Sequence, residues 1–393
     1  MRQNFIETTL TSMKQKGLYN NIKTVDSEQG AYLNINGKKY LNLCSNNYVG
    51  LASDPRLKKA AIRAIEKYGV GTASVRSLIG TNSLHIELEE KLARFKKAEG
   101  CLLLTGGYLA NMAAIQTLIG KEDIVISDEL NHASIIDAVR LSGCKNKFIY
   151  KHADVKDLRR QIPEILKFKK RTILIVTDGV FSMDGDLAPL PDLVKVAKEI
   201  GAYLMVDDAH GEGVLGKNGR GIVDHFHLHG KVDIEVGTLS KAFGVMGGFI
   251  TGNKELVEYY RQKARQFLFT NALSIPDTAA LIAAVDILAK SDRELKRLWD
   301  NTKYLKDELQ KLDFDIGKSE TPITPLMIGD ENTAKQYSME LFKEGVMATP
   351  IKFPMVPLGT ARLRLMPSAT HTKKDLDLGI KKIEKIGKKL KVI

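Results

Sequence analysis

A chain of 393 residues, 44% hydrophobic and 27% charged, has the make-up of an ordinary folded protein with room for a large core and two lobes. Its net charge of +12 is scattered through Lys58-Lys59, Lys96-Lys97, Lys169 to Arg171, Lys381-Lys382 and Lys388-Lys389 among acidic residues, which argues for a solvated basic surface and against a nucleic-acid-binding tract. Cys44, Cys101 and Cys144 never fall at C-x-x-C spacing, the start from Met1 to Lys16 is polar and no apolar run has membrane length, so a disulfide framework, a zinc site and a membrane anchor are all disfavoured and a reducing cytoplasm is expected.

Phe5, Ile6, Leu10 and Met13 mark a helix that stops at Gly17, and Ala31 to Leu43 alternates as a hairpin turning at Asn36-Gly37. Cys44 to Gly50 is too polar for a core element and is either a plain loop or one that touches a ligand. Asp54-Pro55 opens a helix whose apolar face is Leu57, Ala61, Ile65 and Tyr68 and whose stop is Gly69. Gly69 to Ser74 approximates a dinucleotide fingerprint, but it follows a helix instead of a strand and Ser74 replaces the last glycine, so that reading is rejected. A second amphipathic helix begins near Ser83, with Leu84, Leu88, Leu92 and Phe95 on one side.

Seven short apolar runs follow: Cys101 to Leu104, Ile124 to Ser127, Lys147 to Tyr150, Ile173 to Thr177, Tyr203 to Val206, Val232 to Val236 and Phe249 to Thr251. With helical stretches between most of them, they predict an α/β fold with a mainly parallel sheet covered on both faces, whose ligands bind beyond the carboxyl ends of the strands. A long helical region from Thr278 to Leu312, then Pro322 to Ile328, a helix from Thr333 to Glu344, a strand from Ala361 to Met366 and a last amphipathic helix predict a smaller α/β lobe. The expected division is an arm over 1–45, a large domain over 46–285 and a small domain over 286–393.

Chemistry collects at the predicted strand ends. Gly106-Gly107-Tyr108 precedes a helix and can expose backbone N–H groups to a phosphate, although glycines also serve ordinary loops. Asp207-Asp208-Ala209-His210 sets a carboxylate at the end of a buried strand, which needs a positive partner such as a protonated ring nitrogen. A cap at Asp208 and a satisfied core histidine at His210 are the structural alternatives, and no third ligand is spaced to make a metal site. His132 stands at a helix start, suited to a capping role or to a planar ligand, and Asp178 to Gly185 adds Ser182 and two acids. Lys241, in Gly237-Thr238-Leu239-Ser240-Lys241, follows an apolar run and is placed to be a desolvated, nucleophilic amine. A phosphate cradle, a carboxylate, an imidazole and an amine at one sheet edge are what pyridoxal phosphate requires.

Asn46 to Leu51, Asp128 to His132, Thr177 to Gly185, Asp207 to His210 and Gly237 to Lys241 resemble, in this order and over nearly the whole chain, the α-oxoamine synthase family. Its members join a small amino acid to an acyl-CoA; they include glycine C-acetyltransferase, 8-amino-7-oxononanoate synthase, serine palmitoyltransferase and 5-aminolevulinate synthase. The resemblance implies an aspartate-aminotransferase-like fold (fold type I) and a homodimer whose active site is shared between subunits. It also implies Lys241 as the Schiff-base lysine, Asp207 as partner of the pyridine nitrogen, His210 as donor to the phenolic oxygen and His132 as the ring against the cofactor. Gly107, Tyr108 and Thr238 would hold the phosphate with Thr270 of the partner subunit, Ser182 would lie beside the cofactor, and Asn46 and Arg364 would receive the substrate carboxylate. Tyr108, where relatives often have phenylalanine, and Met366-Pro367-Ser368 depart from the pattern.

The runs Ser127 to Leu141 and Ala369 to Thr372 look most like the glycine acetyltransferase branch, so glycine with acetyl-CoA is the expected pair. L-Alanine with pimeloyl-CoA, the biotin-pathway reaction, is the runner-up, and a palmitoyl substrate stands behind both. Intact Lys241, Asp207 and His210 argue against a non-catalytic homologue.

Overall fold

The structure, a computed structural model, describes residues 2–393 apart from Gly17, Asn20, Lys169 and Lys170, so the expected helix stop at Gly17 and part of the Lys169 to Arg171 tract lie outside the described residues. After a helix over Arg2–Gln15, β1 (Tyr32–Ile35) and β2 (Lys38–Asn42) form the predicted hairpin. Its turn residues, Asn36 and Gly37, both have positive φ, 50° and 73°, as a two-residue hairpin of this hand demands. Pro55–Tyr68 is a helix capped by Asp54, and Ser83–Lys96 one capped by Asn82.

The large sheet contains β3 (Gly100–Leu104), β4 (Ile124–Asp128), β5 (Asn146–Tyr150), β6 (Ile173–Asp178), β7 (Tyr203–Asp207), β8 (Ile234–Thr238) and β9 (Gly248–Gly252). Their spatial order is β3-β9-β8-β7-β6-β4-β5, with β9 antiparallel to both neighbours and every other pair parallel. Alternation explains why these runs are apolar throughout: Ile124, Ile126 and Ile175 pack into the core on one face, while Val125, Leu174 and Val176 pack into the core on the other. Fully burying each such side chain contributes roughly 1.5–3 kcal/mol. Parallel register brings Asp178 level with Asp207, and Asp207 level with Val236, so polar residues that end β6, β7 and β8 share one edge.

The helical region expected over Thr278 to Leu312 consists of two helices, Ile275–Lys290 and Arg293–Lys311. Ser291 is extended between them and its Oγ accepts from Arg293 N at 3.1 Å, a local bond that competes with helix continuation. Then β10 (Thr324–Gly329), a helix over Glu331–Lys343, β11 (Val346–Met347), β12 (Thr349–Ile351), β13 (Ala361–Leu365) and a helix over Lys373–Lys389 complete the chain. Strands β10, β13 and β12 make one antiparallel sheet, and β11 adds in parallel to β2. Leu41 and Leu43 from the hairpin therefore share a core with Leu326, Tyr337, Leu363 and Ile383.

Candidate active site

Three residues beyond β8, Lys241 is carried by a tightly anchored segment: Leu239, Ala242 and Phe243 are buried on either side of it. Leu239 N donates to Gly247 O at 3.0 Å and Gly244 N to Lys241 O at 3.0 Å, closing the turn. Gly244 has φ of 74°, and a Cβ there would meet Ala52 N at 2.4 Å, so only glycine fits. The Lys241 amine has no hydrogen bond or ion pair among the described residues, and it lines a cavity of ≈ 320 Å³. Burial lowers its pKa to about 8, against the pull of the Asp207 carboxylate and with help from the Arg364 cation.

The helix over Gly107–Leu118 begins at the same cavity with Gly106 as its cap residue, and its first-turn amides have no intrahelical acceptor. A Cβ on Gly107 would lie 2.9 Å from Thr238 Cβ and Oγ1, and one on Gly248 would lie 2.5 Å from Gly106 O. Glycines thus let the helix start, β8 and β9 close into a cradle of backbone donors with the Thr238 hydroxyl beside it. Such a cradle suits a phosphate.

Asp207, 5% exposed, ends β7. It accepts from Asn111 Nδ2 at 2.6 Å and Ala209 N at 3.0 Å, and has no salt-bridge partner among the described residues. A buried carboxylate in that position is matched by a protonated ring nitrogen. Asn111 also reaches Ser134 Oγ at 2.8 Å. Asp178, ending β6, is pushed well above the usual carboxylate range by burial and by the charge of Asp207, and it accepts from His132 N at 3.0 Å. His132 caps the helix over Ala133–Leu141, its Nδ1 accepting from Ser134 N at 3.2 Å. Burial holds the His132 ring below its usual pKa; burial together with the Lys241 and Arg364 cations holds His210 well below.

Of the residues singled out in the sequence, Gly107, Tyr108, His132 and Ser182 line this cavity with Asp207, His210, Thr238 and Lys241. Tyr108 spends its hydroxyl on Asp137 Oδ2 at 2.6 Å, so the backbone is what it offers the cradle. Asn46 and Arg364 stand together outside the lining, with Arg364 Nη2 donating to Asn46 Oδ1 at 2.8 Å and its charge felt at Lys241 and His210. Thr270 is elsewhere, in a small cleft with Arg76 and Asn271. Two contributors escaped the sequence reading as site residues: Asn111 and Ser134. For Asn111 the signal was there, a lone amide in the apolar helical run Leu109 to Ala114. Among the described residues no group of three or more His, Cys, Asp or Glu could hold a metal ion.

The amine, the unpaired buried acid and the glycine cradle fit pyridoxal phosphate, and comparison with known proteins agrees. The family described as "Aminotransferase class I and II" matches residues 38–383. The chain belongs to that family. An 8-amino-7-oxononanoate synthase of Thermosipho melanesiensis is 59% identical over 384 residues, 98% of this chain and 97% of the relative. One of Fervidobacterium nodosum is 56% identical over 390 residues, 99% of this chain and 98% of the relative. Among solved structures, serine palmitoyltransferase from S. paucimobilis with a bound PLP-myriocin aldimine superposes with a TM-score of 0.93 at 31% identity, covering 100% of this chain and 99% of the other. This member of the aminotransferase class I and II family has the fold type I architecture, is a C-acyltransferase of the α-oxoamine synthase type and uses pyridoxal phosphate.

The expectation of glycine C-acetyltransferase is overturned by the relatives at 59% and 56% identity, which are 8-amino-7-oxononanoate synthases. The residues that suggested it are mostly scaffold. His371 accepts from Ser368 N at 2.9 Å and bonds Asn42 O at 3.1 Å, Thr372 caps the last helix, and Asn131 bonds Val176 O and Asp178 N; none of these lines the cavity.

Proposed function

We propose that this chain is an 8-amino-7-oxononanoate synthase that joins L-alanine to pimeloyl-CoA. The relatives over nearly the full length carry that reading. The product's name gives its construction: carbons 1 to 7 are a pimeloyl group, and carbons 8 and 9 with the amine are alanine without its carboxylate. A carbon–carbon bond forms between the alanine α-carbon and the thioester carbonyl, the carbonyl–sulfur bond breaks, and CoA and carbon dioxide leave.

Pyridoxal phosphate supplies the electron sink for a carbanion at the alanine α-carbon. Gly107, Tyr108 and Thr238 would hold its phosphate, with Thr270 of the partner subunit, and Ser182 would lie beside it. Lys241 would hold it covalently and would carry the α-proton; its depressed pKa supplies unprotonated amine near neutral pH. Asp207 would hold a proton at the ring nitrogen, and His210 would donate to the phenolic oxygen. His132 accepts from Ser134 N at Nδ1, which leaves its proton on Nε2 for the oxyanion that develops at the thioester. Arg364, steadied by Asn46, takes the alanine carboxylate.

A homodimer with a shared site supplies the remaining contacts. Leu78 and Ile79, 81% and 86% exposed, and Phe269 project from two segments joined by the Val75–Asn271 bridge, next to Thr270. An apolar patch of that kind suits a second copy of the chain. Among the described residues no helix is long and apolar enough to cross a membrane, in keeping with a cytoplasmic enzyme.

The test is release of CoA and carbon dioxide by the holoenzyme with L-alanine, glycine and serine, each paired with pimeloyl-, acetyl- and palmitoyl-CoA. L-Alanine with pimeloyl-CoA should give the highest kcat/KM and release both products in equal amounts. Silence of that pair while another turns over would sink the assignment.

A further inference from the structure

The loop between the hairpin and the first large-domain helix holds more than Asn46. Tyr48 is 1% exposed, and its Oη lies 2.7 Å from His210 Nδ1, the two rings meeting edge-on at 88°. The tyrosine is fixed from behind: its carbonyl accepts from Ala369 N at 2.8 Å, and the carbonyl of Asn47 accepts from Ser368 Oγ at 2.8 Å. Arg364, which holds Asn46, lies near enough for its positive charge to be felt at the Tyr48 hydroxyl. One tripeptide, Asn46-Asn47-Tyr48, therefore touches both the arginine and the imidazole.

Both partners of the short bond are neutral. Burial raises the phenol to about 12, and burial with nearby cations keeps the imidazole uncharged. A neutral imidazole has one N–H to place, so two arrangements compete. In one, His210 donates from Nδ1 to Oη, and the buried O–H of the phenol then has no acceptor among the described residues. In the other, Tyr48 donates to Nδ1, and the buried phenol O–H is satisfied. Leaving a buried donor without a partner is costly, which favours the second arrangement by about fivefold or more. The proton of His210 then sits on Nε2, which makes no hydrogen bond among the described residues, on a ring that lines the cavity.

We infer that Tyr48 is a positioning residue: it locks His210 as the Nε2–H tautomer and so makes that ring a hydrogen-bond donor to the cavity. Its use in the reaction rests on the proposed place of His210 at the cofactor; the tautomer does not.

Nitrogen NMR of the full chain before cofactor is added, with ¹⁵N-labelled histidine, together with kcat of the holoenzyme, tests both parts, with the His210 signals among those of eight histidines identified through H210Q. The wild-type enzyme should show a pyridine-like Nδ1 and a protonated Nε2 at His210. In Y48F, which keeps the ring, the proton should distribute over both nitrogens and kcat should fall on the order of tenfold, the worth of one lost hydrogen bond near charge. A wild-type proton on Nδ1 overturns the lock whether or not Y48F folds, and so does a Y48F spectrum unchanged from wild type. A redistributed proton with unchanged kcat overturns instead the placing of His210 at the cofactor.

Discussion

Lys96 and Asp208 form an ion pair of 2.9 Å, Nζ to Oδ2, with neither side chain more than 1% exposed. The same ammonium lies 3.1 Å from Glu235, 3.4 Å from Glu212 and 2.7 Å from Arg220 O. Three glycines make the room, since a Cβ on Gly211, Gly221 or Gly237 would come within 2.1, 1.7 or 2.2 Å of a carboxylate oxygen. Asp208 follows Asp207 directly, so this knot sits behind the turn that carries Asp207 and His210. Lys96→Met leaves the acids buried without their cation and should cost about 3–5 kcal/mol of stability, measured by urea unfolding. Unchanged stability would mean that the acids are all neutral in the native chain.

His152 bridges Asp128 at 3.1 Å and Asp186 at 2.8 Å. Burial opposes its charge, but the two carboxylates outweigh it and raise its pKa to about 10. The folded value lies above the unfolded one of about 6.5, so the stabilisation is complete below pH ~6.5 and is lost as pH rises toward 10. The wild type should lose thermal stability across that window, and His152→Gln should remove that part of the pH dependence. A variant with the same slope would refute the assignment.

The apoenzyme should take up pyridoxal phosphate at a rate that climbs about tenfold per pH unit until pH about 8 and levels off above it, because Lys241 reacts as the free amine. Lys241→Ala should leave no borohydride-stable adduct on the peptide that contains residue 241. A rate still climbing at pH 10 would show an ordinary, solvated lysine.

Gly107→Ala puts a methyl group against Thr238, 2.9 Å from its Cβ. Affinity for pyridoxal phosphate should fall tenfold or more, about 1.4 kcal/mol, in an equilibrium titration, while the fold persists in circular dichroism. Equal affinity would place the phosphate away from this helix start.

Asn111→Ala removes the side-chain donor of Asp207 and should lower kcat on the order of tenfold, with KM for either substrate little changed. A loss confined to KM would move Asn111 from the support of Asp207 to substrate binding.

What the sequence made legible followed the physics of strand ends. Lys241, Asp207 and His132 come just after apolar runs, where a polar residue is conspicuous and a parallel sheet brings its ends together. Strands β11 and β12, two and three residues long, carry too few residues for periodicity to register, and the helix break at Ser291 hides inside a continuous amphipathic pattern. Tyr48 was visible as a motif residue but not as a partner of His210, since 162 positions separate them and only the folded chain closes that distance. The substrate branch went astray because Asn131, His371 and Thr372 serve backbone caps and loop bonds, tasks that any acyl specificity tolerates.

The pairing of Asn46 with Arg364 spans 318 positions, and β2 finds β11 across a similar stretch. During synthesis the large sheet can complete itself while the ribosome is still making the last third of the chain, yet the hairpin that leads into Asn46 must wait for its neighbour strand. A nascent chain halted before β13 would thus carry Lys241 and its cavity without Arg364, the residue proposed to take the substrate carboxylate: on that proposal the grip on substrate is acquired last.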